Sequence, residues 1–209
     1  MKLRILLPCI ALASALGGPG VFCNPAHGVQ KRVCPNPEYI SPERRLRPLM
    51  DLLARHEGNY DSVNRGYAGD TPGGMAQLTG RTLDTYTVAQ VMHMQRGWLH
   101  AVGRYQFIPS TLKWAVRHSS VSELDRFTPE TQDKLMTALV FYKRPAVGAY
   151  LRGDHDYLGW ALDQIAKEWA SVEYRHGRGF YDHIGGNRAK VSRHQMSVVL
   201  QSIKKSWQS

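Results

Sequence analysis

Glu57 offers the most chemistry in this chain. It stands in Leu52-Leu53-Ala54-Arg55-His56-Glu57-Gly58-Asn59-Tyr60, where an apolar-striped segment runs straight into a glycine. That pattern puts one carboxylate at the C-terminal end of a helix, facing a polar, glycine-rich loop. The partial negative charge of a helix C-terminus disfavours a second negative charge there, so the acid form is favoured. A carboxylic acid held protonated near neutral pH suits proton donation to a glycosidic oxygen. A glutamate in a last turn can equally be a solvated surface residue, so its neighbours must decide. The His56-Glu57 pair does not make a zinc helix, because H-E-x-x-H needs a histidine where Tyr60 stands.

Three further stretches could converge on Glu57. In Gly103-Arg104-Tyr105-Gln106, an aromatic and an amide at a helix entrance can hold a sugar, the ring by stacking and the amide by hydrogen bonds. The alternative is that Tyr105 packs in the core and Gln106 only caps. In Trp169-Ala170-Ser171, the tryptophan at helical spacing fits a core position, while Ser171 can present a hydroxyl to a cleft wall. The loop from Tyr60 carries Asp61 and Asp70, either of which would serve as a second carboxylate. Loop aspartates also make Asx turns.

The elements that must position these residues read mostly as helices. Ser41-Pro42-Glu43 starts the first: an N-cap, a proline at N1 and an acid in the first turn. Leu46, Leu49, Met50, Leu52 and Leu53 give its apolar stripe, and it ends at Glu57-Gly58. Asn59 to Thr82 is too turn-rich for a helix and predicts a short hairpin or an ordered loop. Thr87 caps a helix through Gln95. Further helices are predicted from Pro109 to about His118, from Thr128 through Val140, from Pro145 to Arg152 and from Asp156 to Ser171. A second glycine-rich loop, His176 to Gly186, precedes a closing helix from about Ala189 to Trp207. The expected fold class is α+β, mainly α, with a helical lobe and a small loop or β lobe flanking a cleft.

The chain has 209 residues, of which 43% are hydrophobic, enough for one sizeable core with an appended arm. Its net charge of +10 suits polyanions: nucleic acid, anionic lipid or the polymers of a bacterial envelope. Residues 1–15 resemble a secretory signal, with Lys2 and Arg4, an apolar run and Ala13-Ser14-Ala15 as a cleavage signature. Cys9 would leave with it. Cys23 and Cys34 then form an even pair, expected to be disulfide-bonded and to staple an irregular arm over 16–40. The folded domain is expected over 41–209. Gln95-Arg96-Gly97-Trp98 and Tyr174-Arg175-His176-Gly177-Arg178-Gly179-Phe180 mix cations with aromatics, which suits nucleic acid about as well as a glycan. Export argues against nucleic acid and places the protein in the periplasm or outside the cell.

Taken together, His56-Glu57-Gly58, Ala101 to Leu112 with its Gly-Arg-Tyr-Gln core, Phe127-Thr128-Pro129-Glu130-Thr131-Gln132-Asp133, Arg152-Gly153-Asp154 and Trp169-Ala170-Ser171 resemble the lambda-endolysin-type muramidases. These are lytic transglycosylases of the lysozyme-like superfamily, and the matching pieces fall in family order from roughly residue 42 to 195. The signal and the cysteine arm lie outside the resemblance. Pro72-Gly73-Gly74 and Leu83 to Gln95 depart from the phage pattern.

The resemblance implies a lysozyme-like fold around a groove for the glycan strands of peptidoglycan. Glu57 matches the family's general acid, and Tyr105 and Gln106 match groove-lining positions. Ser171 and Asp70 are the further substrate-binding candidates. Cleavage between N-acetylmuramic acid and N-acetylglucosamine would leave a 1,6-anhydro end with no water consumed, which needs only one essential carboxylate. No cofactor or metal is implied. The expected partner is the wall polymer, with secretion or conjugation machinery a candidate and a monomer the expected state. If Asp61 or Asp70 held a water, the enzyme would be a hydrolysing muramidase. A non-catalytic cationic wall binder is the rival of a different class.

Overall fold

The computed structural model describes residues 40–66 and 73–208, all within one compact unit. The expected signal, the Cys23–Cys34 pair and Asp70 lie outside the described residues. The architecture is mainly helical with two small sheets, as an α+β reading of the sequence requires. Among the described residues, no helix is long and apolar enough to cross a membrane.

Helix α1 spans Pro42–Glu57 and starts where its signals place it: the Ser41 hydroxyl accepts from the Arg44 N–H, with proline following at N1. Leu46, Leu49, Met50 and Leu53 are fully buried, so the helix is held along one stripe and Glu57 is carried out at its end. The closing helix α8, Arg193–Gln208, packs against α1 and against α6, Pro145–Arg152, through Met196, Leu200 and Ile203. Helix α5, Pro129–Ala138, continues into a π-helical turn over Leu139–Lys143, in which the Arg144 N–H reaches back to the Leu139 carbonyl. Pro145, which has no N–H to give, ends that turn and opens α6.

Strand β1, Val63–Asn64, pairs antiparallel with β2, Ala101–Val102, in the register Val63 to Val102 and Asn64 to Ala101. This two-residue sheet ties the chain just after Glu57 to the chain just before the Gly103–Gln106 turn. The Gly103 N–H donates to the Ser62 carbonyl at 2.7 Å, extending the tie. Helix α3, Val88–Gly97, carries a capping box between Thr87 and Gln90, and helix α4, Pro109–Arg117, follows the turn.

Three boundaries differ from the sequence reading. The stretch expected to be non-helical contains a short helix α2, Gly74–Thr79. Gly73 caps it with no side chain. Instead Asp61 serves from a distance: its carbonyl accepts from the Met75 N–H and its Oδ2 from the Ala76 N–H. Helix α7 covers Leu158–Ala166 and stops short of Ser171. Beyond it the Lys167 carbonyl accepts from Arg144 Nη2 and the Tyr181 hydroxyl, and Glu168 turns inward to two cations. Helix α8 begins at Arg193, not near Ala189, because the chain before it is extended: the Lys190 and Val191 N–H groups both donate to the Ser171 carbonyl. Ser192 and Gln195 then make a capping box for α8, a Ser-x-x-Gln signal present in the sequence.

Candidate functional site

A cavity of about 430 Å³ brings Glu57 together with Tyr105, Gln106 and Trp169-Ala170. Its walls also include Asn64 and His100 beside the β1–β2 sheet, Lys143 and Arg144 from the π-helical turn, and Tyr181 and Asn187 from the loop before α8. Among the described residues, no group of three or more His, Cys, Asp or Glu side chains is placed to hold a metal ion.

Glu57 reaches the cavity from the end of α1. Gly58 turns the chain away with φ +155°, and a side chain there would collide with Ser62, whose Oγ lies 2.5 Å from the position a Cβ would take. Ser171 Oγ donates to Glu57 Oε1 at 2.5 Å across 114 residues of sequence, and the Ser171 N–H also points to the carboxyl. The Glu57 pKa is raised above the ordinary glutamate value. Burial is the largest cause; the hydrogen bonds from Ser171 and the charge of Lys190 pull the other way without cancelling it. Burial thus stabilises the acid form of Glu57 relative to that of an exposed glutamate.

Ser171 is only 8% exposed and is fixed by its own backbone: its carbonyl takes two N–H donors from 190–191, and Val172 bridges Val191. Trp169 is 3% exposed and packs in the core beside the cavity, outside any helix. Neither residue owes its position to the helical spacing read from the sequence.

The Gly-Arg-Tyr-Gln turn is bolted to the start of α5. Gly103 sits at φ +75°, and a Cβ there would lie 2.3 Å from Gln132 Oε1. Gln132, fully buried, accepts from the Arg104 N–H and donates to the carbonyls of Tyr60 and Phe127. The neighbouring Asp133 accepts from the hydroxyls of Tyr105 and Tyr60 and pairs with Arg47 at 2.5 Å. The Phe-x-Pro-x-x-Gln-Asp stretch thus exists to hold this turn. It also corrects the picture of Tyr105 as a stacking platform. Tyr105 is 2% exposed, its ring packs edge-on against Phe107 and its hydroxyl is committed to Asp133; burial first, and then that bond, raise the phenol's pKa. Gln106 is partly exposed in a left-handed conformation, φ +48°, with Nε2 donating to the Gly103 carbonyl, so its Oε1 is the atom with capacity to spare.

Asp61 does not line the cavity. Its Oδ1 accepts from the Leu83 N–H at 2.6 Å and its Oδ2 from the Ala76 N–H at 2.9 Å. It is a scaffold carboxylate that organises the loop and α2. Asp70 lies outside the described residues.

The sequence reading missed Glu168. Its side chain is 3% exposed and lies in the cavity wall, clasped by Lys143 Nζ at 2.6 Å and Arg144 Nε at 2.7 Å. Lys143 also donates to Thr111, which lines the same wall. The charged pair Lys167-Glu168 stands immediately before Trp169-Ala170-Ser171 in the sequence, but the partners of Glu168 lie 24 and 25 residues upstream, too far for a local pattern. No protein-family model matches the chain, and no curated protein matches its sequence.

Proposed function

We propose that the protein is an exported peptidoglycan-cleaving enzyme of lysozyme-like type, with Glu57 as its general acid. One observation carries this reading. A glutamate with a raised pKa is held at the wall of a cavity by a hydroxyl that arrives from a segment 114 residues away. A protonated carboxyl in that setting can hand its proton to a glycosidic oxygen. Gln106 and Asn64 offer amides for the polar groups of a sugar.

The preferred chemistry is the lytic transglycosylase reaction. Glu57 protonates the oxygen linking N-acetylmuramic acid to N-acetylglucosamine, and the bond to the muramic C1 breaks. The carboxylate left on Glu57 then takes the proton of the sugar's own C6 hydroxyl as that oxygen bonds to C1. The products are a 1,6-anhydromuramic end and a free N-acetylglucosamine end, and Glu57 is reprotonated. Among the described residues, the disposition of Asp61 and Glu168 supports this over hydrolysis. Asp61 spends both oxygens on backbone N–H groups and Glu168 is paired with two cations, so neither is placed as the second carboxylate that holds a water.

Mass spectrometry of digested peptidoglycan, with wild type and Glu57→Gln side by side, tests the reading. Anhydromuramic ends from wild type alone are expected. Reducing muramic ends would make the enzyme a hydrolase, and equal action by the variant would overturn the catalytic reading.

A further inference from the structure

A second concavity, of about 710 Å³, lies on the hairpin formed by β3, Glu173–Arg175, and β4, Arg178–Gly179, and on the loop that follows. Its lining holds three arginines, Arg175, Arg178 and Arg188, together with His183, around the rings of Tyr174 and Phe180. Arg175 is neutralised by Asp163 at 2.5 Å. The other two are not. Arg178 makes no side-chain hydrogen bond or ion pair among the described residues, and Arg188 donates only to the backbone carbonyls of Asp182 and Asn187. Asp182, the one carboxylate of the lining among the described residues, has its Oδ1 shut in and without a hydrogen-bond partner, 2.5 Å from where a Cβ on Gly179 would stand. Two guanidiniums without a carboxylate partner beside an aromatic wall favour a ligand that carries negative charge on a partly apolar chain.

The loop Phe180–Arg188 is shared. Tyr181 and Asn187 line the Glu57 cavity, while the adjacent residues Asp182 and Arg188 line the second one. Lys167, in the first cavity's wall, lies over the rings of Tyr174 and Phe180, which wall the second. A strand bound against Glu57 therefore runs beside an arginine-lined recess one loop away.

We propose that this recess takes the acidic peptide branch of the wall polymer, with Arg178 and Arg188 binding its carboxylates. The assignment rests on the proposed activity for the identity of the polymer. It makes the loop 180–188 a specificity element that reads the branch while the Glu57 cavity reads the sugar.

The test measures binding, not turnover, with two soluble probes that lack the scissile bond: the N-acetylglucosaminyl-N-acetylmuramyl disaccharide, and the same disaccharide carrying its tetrapeptide. Titration calorimetry of wild type should show the peptide-bearing probe bound tighter by on the order of tenfold, the scale of one charge-assisted contact. Arg178→Gln should lose most of that difference and Arg178→Gln with Arg188→Gln all of it. Arg178 is exposed on a strand, so its replacement leaves the fold intact, which circular dichroism checks. Equal affinity of wild type for the two probes, or a difference that survives in the double variant, overturns the proposal. If the difference is found and lost as stated while the protein fails to cleave peptidoglycan, the activity reading falls and the recess assignment stands.

Discussion

Two glutamates wall the same cavity under opposite conditions. Glu57 faces a neutral hydroxyl and a backbone N–H from Ser171, and the charge of Lys190 acts on it more weakly than these. Glu168 lies between Lys143 and Arg144, each within 2.7 Å. Burial without a paired cation raises a carboxyl's pKa and makes it a proton donor; burial between two cations makes an ion-paired strut. The difference leaves a carboxyl with a raised pKa on one side of the cavity and an ion-paired strut on the other. It also explains the order of the chain, because the strut sits three residues before Ser171 and anchors the segment that presents that hydroxyl.

The sharpest way to break this contrast is Glu57→Gln, which keeps the shape and removes the proton. Release of soluble fragments from peptidoglycan should fall at least about a hundredfold, the usual scale for a general acid. Retained activity would reduce Glu57 to a buried structural residue. The same variant tests the ionisation. A raised folded pKa means the native state holds its proton where the unfolded chain has released it. Glu57 therefore costs wild-type stability as pH rises above the unfolded glutamate value, and the cost levels off above the raised pKa. Urea melts across pH should show wild type losing ground to Glu57→Gln over that window, and parallel curves would contradict it.

Glu168→Gln attacks the other side. It leaves Lys143 and Arg144, each about three-quarters buried, without their anion, at a cost of about 3 kcal/mol in chemical denaturation. A loss near zero would show that water replaces the carboxylate and that the strut is not one. Asp61→Asn should cost less, about 2 kcal/mol, because the amide keeps one acceptor oxygen and turns an NH2 donor towards the other of the Ala76 and Leu83 N–H groups. Its turnover should stay close to that of wild type; a hundredfold drop would make Asp61 a catalytic base after all. The smallest effect belongs to Ser171→Ala. Removing a donor to the ionised carboxyl raises the Glu57 pKa further, so the alkaline limb of kcat/KM should move to higher pH. A downward shift would mean that Ser171 stabilises the acid form.

Much of the scaffold was legible because its signals are local. The Ser41-Pro42 start and leucine stripe of α1, the Thr87 capping box, the Thr128 cap and the proline openings of α4 and α6 all appear within a few residues of the ends they set. Helix α2 was not legible, since its cap comes from Asp61, 15 residues away from the N–H it satisfies. Tyr105 stayed ambiguous in the sequence because its type fits both a sugar platform and a core ring, and burial with the bond to Asp133 decides for the core ring at the cavity wall.

By itself, the sequence determined that Glu57 ends a helix before an obligatory glycine and that the Gly-Arg-Tyr-Gln stretch leads towards another helix, but it extended the helix from Asp156 through Ser171 where the structure ends it at Ala166. The first two follow from capping, periodicity and glycine's freedom, which act over a turn or two. Only the tertiary structure decided what Glu57 faces. Its raised pKa comes from burial, its partner Ser171 from an extended segment locked to 190–191, and the rigidity of that segment from Glu168 between two distant cations. Desolvation and ion pairing depend on distance in space, so no local reading of residue types could assign them.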